Sequence, residues 1–317
     1  MNTFGHSFRL TTFGESHGTA LGGVIDGCPA GVVIDDSFIA SELLRRREGD
    51  SPSSLTTPRK EPDTTEWLSG IYEGRTLGTP IAFAIRNQNC QPEDYEALRD
   101  CFRPGHADYT WQQRYGCRDN RGGGRASGRE TAARVVGGAV AKLWLATQGV
   151  SIHSLRQGFE VKCIIEGVPA GIGNPVFDRL NARLAYAVLS IPSASSFEMG
   201  ENPGDWKRAA GDYPDQWIAG GEGASLTATN HCGGVQGGIS NGMPIVFHTG
   251  FHPPVTNPDG MVCRMADGSL KAVAPHGRHD QDHGTRLPVI VESMAALVLA
   301  DFLCLRVKRI DELKIEN

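Results

Sequence analysis

No two cysteines of this sequence have the C-x-x-C spacing that is typical of zinc and redox sites. The eight cysteines are scattered over 317 residues, so neither a zinc site nor a disulfide framework is predicted. A reducing cytoplasm is the expected location.

A secretory signal and a membrane span are not predicted either. The first residues lack a basic start followed by an apolar stretch. The longest apolar run, 288–305, contains Glu292 and Asp301, and two acids favour a buried helix over a membrane-spanning one. We expect no role at a membrane.

The sequence also lacks an excess of basic charge. Its 31 Lys and Arg against 36 Asp and Glu give a formal net charge of −5, which argues against non-specific binding to nucleic acid. The arginines are nevertheless concentrated in three segments, 45–47, 118–134 and 278–286. Local basic pockets in an acidic chain predict an anionic small-molecule ligand.

Glycine, in contrast, is abundant, and one glycine-containing turn is repeated. Segment 24–32 (V-I-D-G-C-P-A-G-V) recurs as 164–172 (I-I-E-G-V-P-A-G-I). Each copy predicts a strand, a turn and then a helix, the helices covering 37–47 and 175–189. A chance match of small turn residues is the alternative explanation.

The repeat predicts two related halves, about 1–150 and 151–317, within a single domain over 1–317. Apolar residues at helical spacing predict two more helices, 128–145 and 289–307. The strand candidates are 22–26, 80–86, 160–166, 225–229 and 244–247. This mixture of elements predicts an α+β fold.

The segment 118–131 (R-D-N-R-G-G-G-R-A-S-G-R-E-T) stands at the start of the third predicted helix. Free backbone N–H groups and the positive end of the helix dipole favour an anion there, and Arg125 and Arg129 can add charge-assisted hydrogen bonds. The spacing matches neither a Walker A loop nor G-x-G-x-x-G. We predict phosphate binding, with a purely structural helix N-cap as the alternative role of Ser127.

Two histidines lie in tight turns, His17 in G-E-S-H-G and His106 after Pro-Gly. Histidine exchanges protons near neutral pH, so both suit proton transfer, with a structural role as the alternative. Residues 14–18 also match the G-x-S-x-G motif of serine hydrolases. That motif joins a strand to a helix, however, whereas a strand is predicted to follow it here.

Two segments of the second half have patterns that suit a ligand site. In 277–283 (G-R-H-D-Q-D-H), Asp280 stands near Arg278 and could act as a base, with a salt bridge or a metal site as the alternative. The glycine-rich segment 233–242 permits flat packing of a ligand or forms a simple hairpin. We predict no metal site.

Taken in order, these segments resemble the chorismate synthase family. The shared motifs are G-E-S-H-G, the triple arginine, R-P-G-H-A-D-Y-T, R-G-G-G-R-x-S-x-R-E-T, G-V-P-A-G, G-G-x-x-G-G-I-S-N-G and G-R-H-D. The resemblance implies a β-α-β sandwich with an internal pseudo-two-fold repeat, helices packed between antiparallel sheets, and a homotetramer. It implies the 1,4-elimination of phosphate from 5-enolpyruvylshikimate 3-phosphate with reduced FMN, for which NADPH is a candidate reductant.

The resemblance also assigns roles to individual residues. His17 would protonate the departing phosphate, His106 would stabilise the anionic reduced flavin, and Asp280 would act with flavin N5 in removing the ring proton. The substrate's anionic groups would be bound by Arg46, Arg47, Arg59, Ser127 and Arg129. The FMN site would be formed by Arg125, Ala126, Ser127, Gly238, Asn241, His252, Thr256 and Arg278.

Several positions depart from the family's pattern. The lysine of its flavin-phosphate loop is His252 here, so a titratable group replaces a permanent cation. The family's N-A is 192–193 (P-S), and its P-C-V after Asp280 is 281–283 (Q-D-H). The region 151–159 is shorter by several tens of residues. These departures leave two alternatives open: a paralogue acting on another phosphorylated cyclic substrate, and a non-catalytic flavin-binding protein.

Overall fold

The computed structural model describes residues 1–49, 61–220, 226–255, 260–273 and 282–305. The strands of the first half are β1 (Thr3–Phe4), β2 (Arg9–Phe13), β3 (Ala20–Asp26), β4 (Thr65–Trp67), β5 (Ile71–Tyr72), β6 (Arg75–Thr76), β7 (Ile81–Arg86) and β8 (Cys101–Phe102). An antiparallel sheet has the order β1-β2-β3-β7-β4, and β5 pairs with β6. Leu21 and Ile25 of β3 are fully buried, so this face of the sheet covers the core.

The second half forms another antiparallel sheet. Its strands are β9 (Ser151–Gln157), β10 (Glu160–Glu166), β11 (Ala194–Met199), β12 (Val235–Gln236), β13 (Ile239–Ser240), β14 (Ile245–Phe251), β15 (Met261–Met265) and β16 (Leu270–Val273). The main sheet has the order β11-β14-β10-β9. Strands β12 and β13 form a hairpin, and β15 pairs with β16 and with β8 of the first half in a small three-stranded sheet.

The helices are α1 (Asp36–Glu48), α2 (Asp108–Tyr115), α3 (Thr131–Thr147), α4 (Leu180–Leu189) and α5 (Leu287–Leu305). Both α3 and α5 contact β2 of the first sheet and β9 of the second, and α1 and α4 pack against α5. Helices α3 and α5 therefore lie between two antiparallel sheets. The predicted α+β sandwich is confirmed.

The close packing of α3 on α5 depends on small residues. A Cβ atom on Gly138 would lie 2.3 Å from the Cβ of Ser293, so a larger residue there would push the helices apart. The segment Gly284–Leu305 is long and apolar enough to cross a membrane, but 89% of its apolar window is buried within the protein. That burial is typical of a core helix.

The repeated turns of the two halves are held by equivalent hydrogen bonds. In the first half, Thr76 Oγ1 accepts from the Val32 N–H at 3.0 Å and donates to the carbonyl of the turn's proline at 2.6 Å. In the second half, Ser240 Oγ accepts from the Ile172 N–H at 2.8 Å and donates to the corresponding proline carbonyl at 2.6 Å. The two copies of the repeated turn therefore share the same local hydrogen bonds, and the two related halves stay a prediction.

Two predicted elements need correction. The helix predicted over 175–189 begins only at Leu180, because Val176 has a φ of +68° and Arg179 is extended. The strand predicted over 225–229 is absent from its described part, 226–229, where a single bridge joins Thr227 to Trp217. The Thr227 hydroxyl donates to the carbonyl two residues later at 2.7 Å, a local contact that competes with strand pairing.

Candidate active site

A cavity of about 560 Å³ opens between the arginine-rich loop of the first half, 118–131, and several loops of the second half. The residues singled out by the sequence that line it are Arg46, Arg47, His106, Arg125, Ala126, Ser127, Arg129 and His252. The second half also contributes 191–193 and His283. Residues distant in sequence therefore meet at one pocket large enough for small ligands.

The arginine-rich loop is shaped by glycines and closed by a helix cap. All three glycines of 122–124 have positive φ angles. A Cβ atom on Gly122 would come within 2.6 Å of the His17 ring, so this position requires glycine. Ser127 Oγ accepts a hydrogen bond from the Arg129 N–H at 3.3 Å, just before α3. Ser127 is thus a helix cap that also lines the cavity.

Two predicted substrate arginines converge on Asp63, a buried acid. Arg129 forms an ion pair with Asp63 and donates to Asn87 Oδ1 at 3.1 Å. Arg46 lies 3.6 Å from the second oxygen of Asp63 and donates to Thr131 Oγ1 at 3.0 Å. No local sequence pattern indicates Asp63, because only folding brings its partners to it.

Arg125 and Arg47 are also held by contacts with the protein. Arg125 Nη2 donates to the Thr12 carbonyl at 2.9 Å, and Arg47 Nη1 donates to the Glu61 carbonyl at 3.0 Å. Within the described part of the chain, Arg125 Nη1 and Arg129 Nη2 are buried without a hydrogen-bond partner. Buried cationic donors that lack an acceptor suit an anionic ligand.

His17 does not line the cavity itself and lies behind two residues that do. Its side chain is buried, and its ring stands edge-on to Tyr95 with 5.0 Å between centroids. Both Tyr95 and its other neighbour, Gly122, line the cavity. The Ser16 N–H donates to the Gly124 carbonyl at 3.2 Å, which fixes the histidine turn to the arginine-rich loop.

The loop that carries His106 is fixed by an ion pair. Arg103 donates to the two carboxylate oxygens of Asp108 at 2.7 and 2.9 Å. Burial alone would raise the pKa of Asp108, but the hydrogen bonds and charge of Arg103, with the charge of Arg118, lower it. His106 Nδ1 lies 3.0 Å from the Pro104 carbonyl, which positions the ring at the wall.

The other predicted site residues are not brought to this cavity by the described structure. Gly238 lies in the turn between β12 and β13, and Asn241 follows β13, with its Nδ2 3.7 Å from Cys232 Sγ. Arg59, Thr256, Arg278 and Asp280 lie outside the described residues. The roles predicted for these six, like those predicted for His17 and for the residues that line the cavity, stay predictions. No group of three or more His, Cys, Asp or Glu in the described residues could hold a metal ion.

Comparison with known proteins gives a consistent result. The family model for chorismate synthase matches residues 8–160 and 156–304. A chorismate synthase of Azobacteroides pseudotrichonymphae is 42% identical over 351 positions, covering 95% of this chain and 99% of that protein. One of Christiangramia forsetii is 43% identical over 348 positions, covering 95% and 97%. A crystal structure of chorismate synthase has a TM-score of 0.69 at 27% identity, covering 95% of this chain and 92% of the other.

The two matched segments overlap at 156–160, where β9 turns into β10. The alignment with the Azobacteroides relative covers 351 positions, more than the 317 residues of this chain, so that relative contains segments that are missing here. In this chain a tight turn at Gly158 joins the two strands. The shortening predicted for 151–159 coincides with this turn.

Proposed function

This chain belongs to the chorismate synthase family, and from that premise we propose that it converts 5-enolpyruvylshikimate 3-phosphate to chorismate by anti-1,4-elimination of phosphate. The protein is a carbon–oxygen lyase of the shikimate pathway, which supplies aromatic amino-acid biosynthesis. A paralogue with another substrate and a non-catalytic flavin-binding protein are not favoured, because the named relatives share one activity and match nearly the whole chain.

The observation that carries the proposal is the coincidence of the family match with an arginine-lined cavity between the two halves. The match includes every segment that forms the cavity. Arg125 Nη1 and Arg129 Nη2 are buried there with no acceptor among the described residues. The residues present therefore fit a phosphorylated substrate and an anionic cofactor.

The elimination places negative charge on the departing phosphate, so that group must be stabilised and protonated. We assign the stabilisation to Arg46, Arg47 and Arg129, with Ser127 as a further contact, and the protonation to His17. Asp63 keeps two of these guanidinium groups in place. Arg59 would add to the substrate site, and Asp280 would remove the ring proton.

The family requires a reduced flavin, which we propose to be FMN. When bound, reduced FMN supplies an electron-rich ring system for an elimination without net oxidation. Arg125, Ala126 and His252 at the cavity wall would hold the cofactor, together with Gly238, Asn241, Thr256 and Arg278. His106 would stabilise the negative charge of the reduced ring, and the glycines of 122–124 leave room for a flat ligand.

Three finer points complete the proposal. We propose a homotetramer. Gly238 and Asn241 do not line the cavity of their own chain, and assembly would allow them to contact the cavity of a neighbouring subunit. NADPH is the proposed reductant if the protein reduces its own flavin. The proposed location is the cytoplasm, where the thiols stay reduced.

Complementation tests the proposal in a cell. We expect the gene to restore growth of a chorismate synthase-deficient auxotroph on medium without aromatic amino acids. The Arg129→Ala variant should fail, because it removes a buried cation from the cavity. A variant of an exposed arginine, Arg99→Ala, is the matched control and should restore growth. Failure of the unmodified, folded protein to restore growth would count against the proposed substrate.

A further inference from the structure

On the side of the second half, the cavity is lined by two histidines that both contact one serine, the first through its ring and the second through its backbone. His283 Nε2 and Ser193 Oγ share a hydrogen bond at 3.0 Å, and the His252 N–H donates to the Ser193 carbonyl at 3.0 Å. All three line the cavity, and we call them the histidine edge. Ser193 has a φ of +71°, a strained conformation for a residue other than glycine. Such strain is concentrated at functional sites.

The tip of the β9–β10 hairpin contacts both segments that carry these histidines. The Phe159 carbonyl accepts a hydrogen bond at 2.9 Å from the N–H of Phe251, the residue before His252. The Phe159 ring lies 5.4 Å from the ring of His283. Arg156 forms an ion pair with Asp282 at 3.5 Å. The β9–β10 hairpin therefore positions the histidine edge.

The charges beside His283 favour an anion. Asp282, its neighbour in sequence, is paired with Arg156 on β9. Arg286 lines the same cavity, and its N–H donates to the His283 carbonyl at 3.2 Å. The carboxylate next to His283 is therefore paired, and Arg286 adds a cation to the cavity on this side.

The charges beside His252 come from the loop that carries His106. This loop abuts the segment after His252, since a Cβ atom on Gly105 would lie 3.1 Å from the Val255 Cβ. Its acid, Asp108, is paired with an arginine at 2.7 Å. His106 is a further titratable group that lines the cavity. Beside His252, as beside His283, the nearby carboxylate is therefore already paired with an arginine.

We propose that the histidine edge binds a phosphate monoester dianion, with His283 and His252 together taking the place of the lysine that the family has at position 252. The inference rests on the proposed function, because FMN carries such a phosphate, and the substrate's phosphate is the second source of the same chemistry. Lysine stays charged above neutral pH, whereas histidine loses its charge there. Binding at this edge therefore weakens as the pH rises.

Comparing FMN with riboflavin isolates the contribution of the phosphate, because the two share one ring system. Fluorescence quenching of each flavin by the full chain gives two dissociation constants, whose ratio is the FMN preference. Between pH 6.5 and 8.5 the phosphate stays largely dianionic, since its second pKa is about 6. We expect the FMN preference to fall about tenfold over this interval, the size of one charge-assisted hydrogen bond.

Substitutions test each histidine separately. His283→Gln and His252→Gln should each reduce the FMN preference about tenfold at pH 6.5, with riboflavin affinity unchanged as a check on folding. His252→Lys should keep the preference at pH 8.5. His153→Gln changes an exposed histidine of β9 outside the cavity, and this matched control should behave as the unmodified protein.

The outcomes separate the inference from the proposed function. An FMN preference that is constant with pH and unaffected by both glutamine variants overturns the edge as a flavin-phosphate site. Calorimetric titration with 5-enolpyruvylshikimate 3-phosphate then decides the source: pH-dependent binding that the variants weaken assigns the edge to the substrate, and unaffected binding overturns the inference altogether. An anaerobic chorismate assay on the same samples tests the proposed function independently of either result.

Discussion

Single residues differ in how far their local sequence reveals their role. His17, His106, Arg125 and Arg129 were singled out because glycine-rich turns and a helix start give them a recognisable setting. Asp63 has no such setting, since its importance comes from two arginines that approach from α1 and from the turn before α3. Contacts between distant segments are set by the fold and leave no local pattern.

Asp63→Asn tests the role of the buried carboxylate. Asparagine tolerates the left-handed backbone at this position, where φ is +51°, so the change removes charge without straining the chain. Loss of one partner from a buried ion pair should lower the free energy of unfolding by about 3 kcal/mol. Inorganic phosphate should raise the variant's Tm more than that of the unmodified protein, because an anion can replace the carboxylate.

Thermal unfolding with and without phosphate provides the measurement. Asp26→Asn is the matched control, since Asp26 forms an exposed pair with Arg9 and surface pairs contribute little. An equal phosphate effect on the unmodified protein and on Asp63→Asn would show that the carboxylate and the ligand do not share the arginines.

At the scale of elements, one buried carboxylate joins three helices and a strand. Glu292 of α5 accepts hydrogen bonds from Arg45 of α1 at 2.8 Å, Lys142 of α3 at 2.6 Å and Ser154 of β9 at 2.7 Å. Burial alone would raise the pKa of Glu292, but Arg45 and Lys142 lower it from 4.5 to about 2. The ionised form is therefore favoured in the folded protein.

Glu292→Gln should make folding less sensitive to acid. The lowered pKa corresponds to about 3 kcal/mol of stability, which is present above pH 4.5 and is lost as the pH falls towards about 2. We expect the variant to be about 3 kcal/mol less stable than the unmodified protein at pH 7, with a smaller difference at pH 3. Urea unfolding at the two pH values measures this.

The control for this prediction is Glu66→Gln, which removes one partner of an exposed pair with Arg86. It should change the free energy of unfolding by less than about 1 kcal/mol. A Glu292→Gln deficit that stays the same size at pH 7 and pH 3 would refute the assignment of the ionised carboxylate as the stabilising form.

Helices and strands were predictable where apolar spacing is regular, and less so elsewhere. The pattern gave α1, α3 and α5 nearly to their ends, because α3 and α5 bury long apolar stretches and α1 buries Ile39 and Leu43 at helical spacing. It placed the start of α4 too early, since the positive φ of Val176 depends on the turn that precedes the helix. At 226–229 the Thr227 hydroxyl bonds a carbonyl within the segment, and the residue pattern did not predict that this contact would compete with strand pairing.

For the whole molecule, we propose one domain over 1–317 made of two related halves. The main hydrophobic core contains residues of both, from Phe8 to Phe302. Thr76 and Ser240 hold the two repeated turns with the same pair of contacts. The sequence predicted the repeat, but the cavity between the halves became visible only when both halves were assembled.

The most direct test of the proposed activity is an anaerobic assay of the purified protein with reduced FMN and 5-enolpyruvylshikimate 3-phosphate. Chorismate and inorganic phosphate should appear in equal amounts with enzyme and reduced FMN together, and neither should form when the flavin is left out. A folded protein that binds FMN and the substrate yet forms no chorismate would contradict the account.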